Sequence, residues 1–84
     1  MSHPRQAVLY RMILPEHTCP FGVRAKELLE DRGYQIDDRI LRSRSEVDAF
    51  EAEHDVATTP QVFINDRRIG GCEDLERFLF LSEA

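Results

Sequence analysis

Ala7-Val8-Leu9-Tyr10-Arg11-Met12-Ile13-Leu14, closed by Pro15, is followed from Pro20 to Arg32 by apolar residues at Phe21, Ala25, Leu28 and Leu29. The change of period between these two stretches decides the fold class. The first is a short apolar run interrupted only by Arg11 and stopped by proline, which reads as a buried strand. The second repeats at i, i+4, i+7 and i+8, starts with proline at the favoured first helical position and ends at Gly33, which reads as a helix. Downstream, Tyr34 to Leu41 alternates weakly, with Tyr34 and Ile36 on one face, and predicts a second strand. Ser43 or Ser45 then caps a helix in which Val47 and Phe50 form an apolar i, i+3 pair while Glu46, Asp48, Glu51 and Glu53 face water. So narrow an apolar face predicts weak docking. Gln61 to Asn65 is a strand entered through Pro60, and Asn65-Asp66-Arg67 turns the chain back into Arg68 and Ile69 as an antiparallel hairpin. Gly70 and Gly71 allow a sharp turn into a last helix opened by Glu73 and Asp74 and carrying Leu75, Phe78 and Leu79. The resulting order, β-α-β-α-β-β-α, is one α/β domain over residues 1–84.

Composition agrees with one small folded unit: 84 residues, 42% hydrophobic and 32% charged, with four Gly and four Pro. The net charge is −5, and the ten arginines and single lysine are interleaved with acids, so nucleic acid is not an expected partner. The longest apolar runs, Val8 to Leu14 and Phe78 to Leu81, fall far short of the roughly 20 residues that span a bilayer. No secretory signal pattern precedes the first strand, which implies a cytoplasmic, reducing location. There, two cysteines 53 positions apart are expected to be free thiols and not a structural staple.

Cys19 follows the first strand and immediately precedes Pro20, so it stands at or beside the N-cap of the first helix. Free backbone N–H groups and the helix dipole favour negative charge there. A thiolate is the nucleophilic form of cysteine, which makes Cys19 a candidate reactive centre on local physics, against the alternative of a buried inert thiol. Gly22, in the first turn, is read either as leaving room for a partner to approach the sulfur or as a packing residue. Cys72 also begins a helix and is a second position where a thiol can be activated or paired. Without a Cys-x-x-Cys, and with histidines only at 3, 17 and 54, a tetrahedral zinc site is not expected, and His17 is read as an exposed loop residue.

Cys19-Pro20-Phe21-Gly22, Thr58-Thr59-Pro60-Gln61-Val62-Phe63-Ile64 and Gly70-Gly71-Cys72-Glu73-Asp74-Leu75 together resemble the three signature segments of glutaredoxins, in family order and spacing. The resemblance implies a thioredoxin-like fold with a four-stranded mixed sheet. It also implies a glutathione-dependent thiol–disulfide oxidoreductase in which Cys19 takes up a glutathionyl group and is regenerated by a second glutathione. Thr59 and a cis Pro60 would meet the cysteinyl part of glutathione, and Gly71, Cys72, Glu73 and Asp74 would receive its γ-glutamyl end. The implied partners are glutathione and glutathionylated or disulfide-containing proteins, with the chain acting as a monomer. Gly22 stands where dithiol members carry a resolving cysteine, which leaves a monothiol mechanism. The family's monothiol members also carry a [2Fe–2S] cluster between two subunits with two glutathiones, so a cluster carrier is the alternative, and a module without redox activity is a third reading. Two positions that usually hold the glycyl carboxylate of glutathione, three before the cysteine and thirteen before the proline, are here Glu16 and Val47. Weak glutathione affinity follows, unless Arg42 or Arg44 reaches the same group.

Overall fold

The computed structural model describes residues 5–82; His3, the rest of the polar start before Arg5, and Ala84 lie outside them. Eight elements follow in order: β1 (Gln6–Leu14), β2 (His17–Thr18), α1 (Pro20–Asp31), β3 (Gln35–Leu41), α2 (Arg44–His54), β4 (Gln61–Ile64), β5 (Arg67–Gly70) and α3 (Cys72–Ser82). β1 is central. It pairs in parallel with β3 from Gln6↔Gln35 to Met12↔Leu41 and antiparallel with β4 from Ala7↔Ile64 to Tyr10↔Gln61. β5 completes the path antiparallel to β4, so the main sheet runs β3-β1-β4-β5 and is mixed.

The expected four strands are all present, and the order of elements is the expected one apart from a fifth strand. β1 continues past its neighbours, turns at Pro15-Glu16 and pairs with β2 through Ile13↔Thr18 and Leu14↔His17. His17 is therefore an exposed strand residue and not a loop residue. Two residues of strand carry no readable alternation, and pairing alone defines them.

The pleat of β1 sends Ala7 and Leu9 into the core shared with α1 and α3, where Ala25, Leu29, Val62, Ile64, Leu75 and Leu79 meet them. Arg11 continues this face. Its Nε and Nη2 donate to the two carboxylate oxygens of Asp38 on β3, each at 2.8 Å, so the buried charge is matched in fork geometry. On the opposite face, Tyr10 stacks against Phe50 of α2 with ring centroids 4.5 Å apart, and His54 and Phe63 extend the cluster. α2 thus docks through more than its i, i+3 pair, because residues on β1 and β4 supply the aromatic partners. Ser43 is its N-cap, accepting the Glu46 N–H at 3.2 Å, and Asp55 ends it in the left-handed region. Asn65 and Asp66 both have positive φ, the conformation of a tight hairpin turn.

Phe21 departs from its expected place. Read as part of the core face of α1, it is 61% exposed. It stands in the first turn, above the level where the core begins, and projects out beside Cys19. Phe80 and Leu81 are likewise exposed at the end of α3.

Candidate active site

Cys19 is the N-cap of α1, with extended backbone (φ −68°, ψ 117°) and Pro20 as the first helical residue. Its amide donates to the carbonyl of Met12 at 3.4 Å, and its own carbonyl accepts from Gly22 and Val23. The thiol makes no capping hydrogen bond and is partly exposed. The backbone is fully engaged while the sulfur remains available to a ligand.

Gly22 is buried, and the reading that it packs is the one that the structure supports. A Cβ at this position would lie 2.8 Å from the Cβ of Arg11. That atom sits next to the β1 backbone and cannot swing away, so the close approach of α1 to β1 requires glycine. The position where a resolving thiol would sit is closed by the strand beneath it.

Register places the second segment beside the first. Because Tyr10 pairs with Gln61, β4 running backwards brings Pro60 to the level of Arg11 and Thr59 to that of Met12, whose carbonyl already holds Cys19. The Thr59–Pro60 peptide is cis. Gln61 is buried, and its Nε2 donates to the Thr58 carbonyl at 3.0 Å, holding the approach to β4 in shape.

The third segment follows from β5 and its turn. Gly70 has φ +123°, and a side chain there would run into the carboxylate of Asp74. Gly71 precedes α3, its carbonyl accepting from Leu75 N–H at 2.9 Å, and a Cβ on it would lie 3.4 Å from the carbonyl oxygen of Pro60. Asp74 reaches back to accept the Gly71 N–H at 3.3 Å, the acidic half of a capping box. Its other oxygen lies 3.5 Å from Nη1 of Arg77. One carboxylate of the pair Glu73/Asp74 thus serves the helix start, leaving Glu73 free of any ion pair among the described residues.

Thr59, Pro60, Gly71, Cys72, Glu73 and Asp74, drawn from two segments of the chain, line a single groove of about 500 Å³ together with Phe21, Thr58, Gln61, Arg68 and Gly70. Phe21 ties that groove to Cys19, two residues away. Phe21 and Arg68 were not singled out from sequence. Arg67 and Arg68 are both exposed in β5, so no alternation in the sequence marks the latter; its place in the groove comes from the turn back through Gly70.

Cys72 lies in this groove but differs in kind from Cys19. It is 7% exposed. Burial pushes its thiol above the ordinary range, and the Glu76 carboxylate, 4.0 Å from Sγ, adds to the effect against the weaker opposing pull of Arg24. Burial and the neighbouring acids thus favour the neutral thiol at this helix start. Val47 is 2% exposed within the α2 packing, so its side chain offers nothing to a ligand, whereas Glu16 is exposed at the β1–β2 turn.

The glutaredoxin family model matches residues 7–69. Glutaredoxin 1 of Salmonella typhimurium is 34% identical over 76 residues, covering 81% of this chain and 87% of that protein. The hybrid peroxiredoxin hyPrx5 of Haemophilus influenzae is 40% identical over 60 residues, 71% of this chain, which spans only about a quarter (25%) of that protein's length. Among solved structures, glutaredoxin 1 from Francisella tularensis, complexed with cacodylate, superposes with a TM-score of 0.82 at 24% identity, covering 94% of this chain and 96% of that one. That likeness establishes the thioredoxin-like fold.

Proposed function

The chain belongs to the glutaredoxin family, and from that membership we propose that it is a glutathione-dependent thiol–disulfide oxidoreductase working through Cys19 alone. The observation that carries this reading is the contrast between its two thiols. Cys19 is accessible at a helix start beside a preformed groove, while Cys72 is buried and its thiol form favoured.

In the proposed cycle, the Cys19 thiolate attacks the glutathionyl sulfur of a mixed disulfide. The S–S bond to the protein substrate breaks, and the departing protein thiolate takes a proton from solvent. A second glutathione, as thiolate, then attacks the glutathionyl sulfur on Cys19, releasing glutathione disulfide and the Cys19 thiolate. One free glutathione thiol is consumed: its sulfur is oxidised to the disulfide level as the protein sulfur is reduced to a thiol, and the other half of the glutathione disulfide is the glutathionyl group that the substrate brought.

Glutathione would lie along the groove with its cysteinyl backbone at Thr59, next to Pro60. Its γ-glutamyl carboxylate would face the start of α3 beside Gly71 and Asp74, meeting the amides of Cys72 and Glu73, since the Gly71 amide is already held by Asp74. Glu73, unlike Asp74, has no competing partner among the described residues and would take the ammonium. The monothiol route is supported by Gly22, whose contact with Arg11 leaves no space for a second thiol in the motif. Two free cysteines suit a reducing compartment, and the cytoplasm is the location proposed.

Intact-mass analysis after brief exposure to glutathione disulfide tests this. A single glutathionyl adduct is expected on the unaltered protein and on Cys72→Ser, absent from Cys19→Ser and cleared by reduced glutathione. An adduct that persists in Cys19→Ser, or none on any protein, overturns the reading.

A further inference from the structure

The groove that holds Thr59 and Asp74 is uneven in charge. α3 contributes the carboxylates Glu73 and Asp74, and the one cation that lines it is Arg68 of β5. The strand is irregular at this point. Val62 pairs with Gly70 and Phe63 with Arg68, so Ile69 is an extra residue opposite the β4 ladder, a bulge. Ile69 packs against the core while Arg68 stays exposed. Bulges bend a strand and re-aim its side chains, and they are frequent at sheet edges and beside active sites. β5 is an edge strand, so Arg68 stands at the open margin of the groove, on the side from which a large partner can approach.

The guanidinium is also uncommitted. Arg11, Arg24, Arg39 and Arg77 each have a carboxylate partner. Arg68 has none among the described residues. In the pose proposed above, the γ-glutamyl end of glutathione is met by groups of α3, which leaves Arg68 to the other half of the mixed disulfide. Guanidinium groups bind carboxylates in a planar, bidentate fashion that an ammonium or an amide does not reproduce. The surroundings sharpen the effect. The net charge is −5, and Glu73 and Asp74 repel an acidic chain, so Arg68 marks the place in the groove where an acidic side chain gains energy.

We propose that Arg68 is a specificity-determining residue for the protein half of the mixed disulfide, selecting substrates that carry an acidic side chain beside the glutathionylated cysteine. This rests on the proposed role of Cys19. Arg68 meets the flank of the substrate and leaves the reacting sulfur atoms untouched, so it acts on KM. Arg67, its exposed neighbour in the same strand, does not line the groove and has no such role.

The test uses three glutathionylated peptides that differ only in the residues flanking the cysteine, Glu, Gln or Lys, with reduced glutathione as second substrate. For the unaltered protein the KM of the Glu peptide is expected to lie about fivefold below that of the Gln peptide. Arg68→Ala should abolish the difference by raising the KM of the Glu peptide alone, with kcat and the KM for reduced glutathione within about twofold. Arg68→Glu should reverse the order and favour the Lys peptide, and Arg67→Ala should keep the order of the unaltered protein. The assignment is overturned by a preference that is absent from the unaltered protein, that survives Arg68→Ala or that is lost equally in Arg67→Ala. A rise in the KM for reduced glutathione also overturns it, because Arg68 then serves the glutathione half. Binding to Cys19→Ser protein, measured by calorimetry with Glu and Gln peptides whose disulfide is replaced by a thioether, separates this from the redox reading. Tighter binding of the Glu thioether that Arg68→Ala removes, without turnover by the unaltered protein, sinks the redox reading and keeps the selection by Arg68. Turnover with equal binding of the two thioethers sinks the selection alone, and neither turnover nor a binding difference sinks both.

Discussion

Two helices of this protein begin with a cysteine, and the two starts differ in almost everything except that residue and the helix dipole behind it. At α1, Cys19 is the N-cap itself, the first turn contains no acid, and the thiol is partly exposed. At α3, Cys72 is the first residue inside the helix, buried, with Glu73 and Asp74 in its turn and Glu76 against its sulfur. A helix N-terminus stabilises a thiolate by a modest amount that falls off within one turn. Desolvation and a like charge nearby act in the opposite direction and are larger when the sulfur is enclosed. Position at a helix start is therefore a weak guide to reactivity, and exposure decides.

The comparison is broken most directly by competitive alkylation of the native protein at neutral pH. Cys19 is expected to react at least about a hundredfold faster than Cys72, since the latter must both be uncovered and lose its proton against burial. Peptide mapping that finds the two labelled at similar rates would remove the distinction.

The next effect concerns what lies beneath each start. α1 rests on Arg11 through Gly22, so Gly22→Ala forces a Cβ to within 2.8 Å of the Arg11 Cβ. An overpacking cost of about 1–3 kcal/mol is expected, read as a fall in Tm of roughly 4–8 °C per kcal/mol for a domain of this size. An unchanged Tm would show that helix and strand separate freely.

A smaller effect distinguishes the ion pairs at the two starts. Hydrogen bonds from Arg11 hold the Asp38 carboxyl below its ordinary value, against the opposing effect of partial burial. A carboxyl depressed in the folded state contributes stability that is complete above its unfolded value, about 4, and is lost as pH falls through the folded value. The stability difference between unaltered protein and Arg11→Met should thus shrink as pH falls below about 4. Arg24–Glu76, which links α1 to α3 with side chains 60% and 41% exposed, is screened by water, and Glu76→Gln should leave the acid limb of stability unchanged. Denaturation midpoints measured from pH 2 to 7 check both.

Much of this was legible in the residues. The proline-bounded apolar run, the i, i+4, i+7, i+8 spacing and the turn residues at Asn65-Asp66 and Gly70-Gly71 are local signals, and each element they mark is present. Phe21 keeps the helical spacing yet is exposed, because apolar periodicity does not say where along a helix the core begins and the first turn of α1 stands above it. The β1–β2 pairing escaped because a two-residue strand has no period. Gly22 was ambiguous because what it touches, Arg11, lies eleven residues away on another element.

By itself the sequence determined the order of elements other than β2, the placement of both cysteines at helix starts and the groups available for binding, because each depends on neighbours within a turn or two. Only the tertiary structure decided which thiol is open and which is enclosed. It also gathered Thr59, Arg68 and Gly71 into one groove while placing Arg42 and Arg44 beside the β1–β2 turn. Burial and convergence are set by strand register and by the packing of segments remote in the chain, and neither quantity is carried by any single stretch of residues.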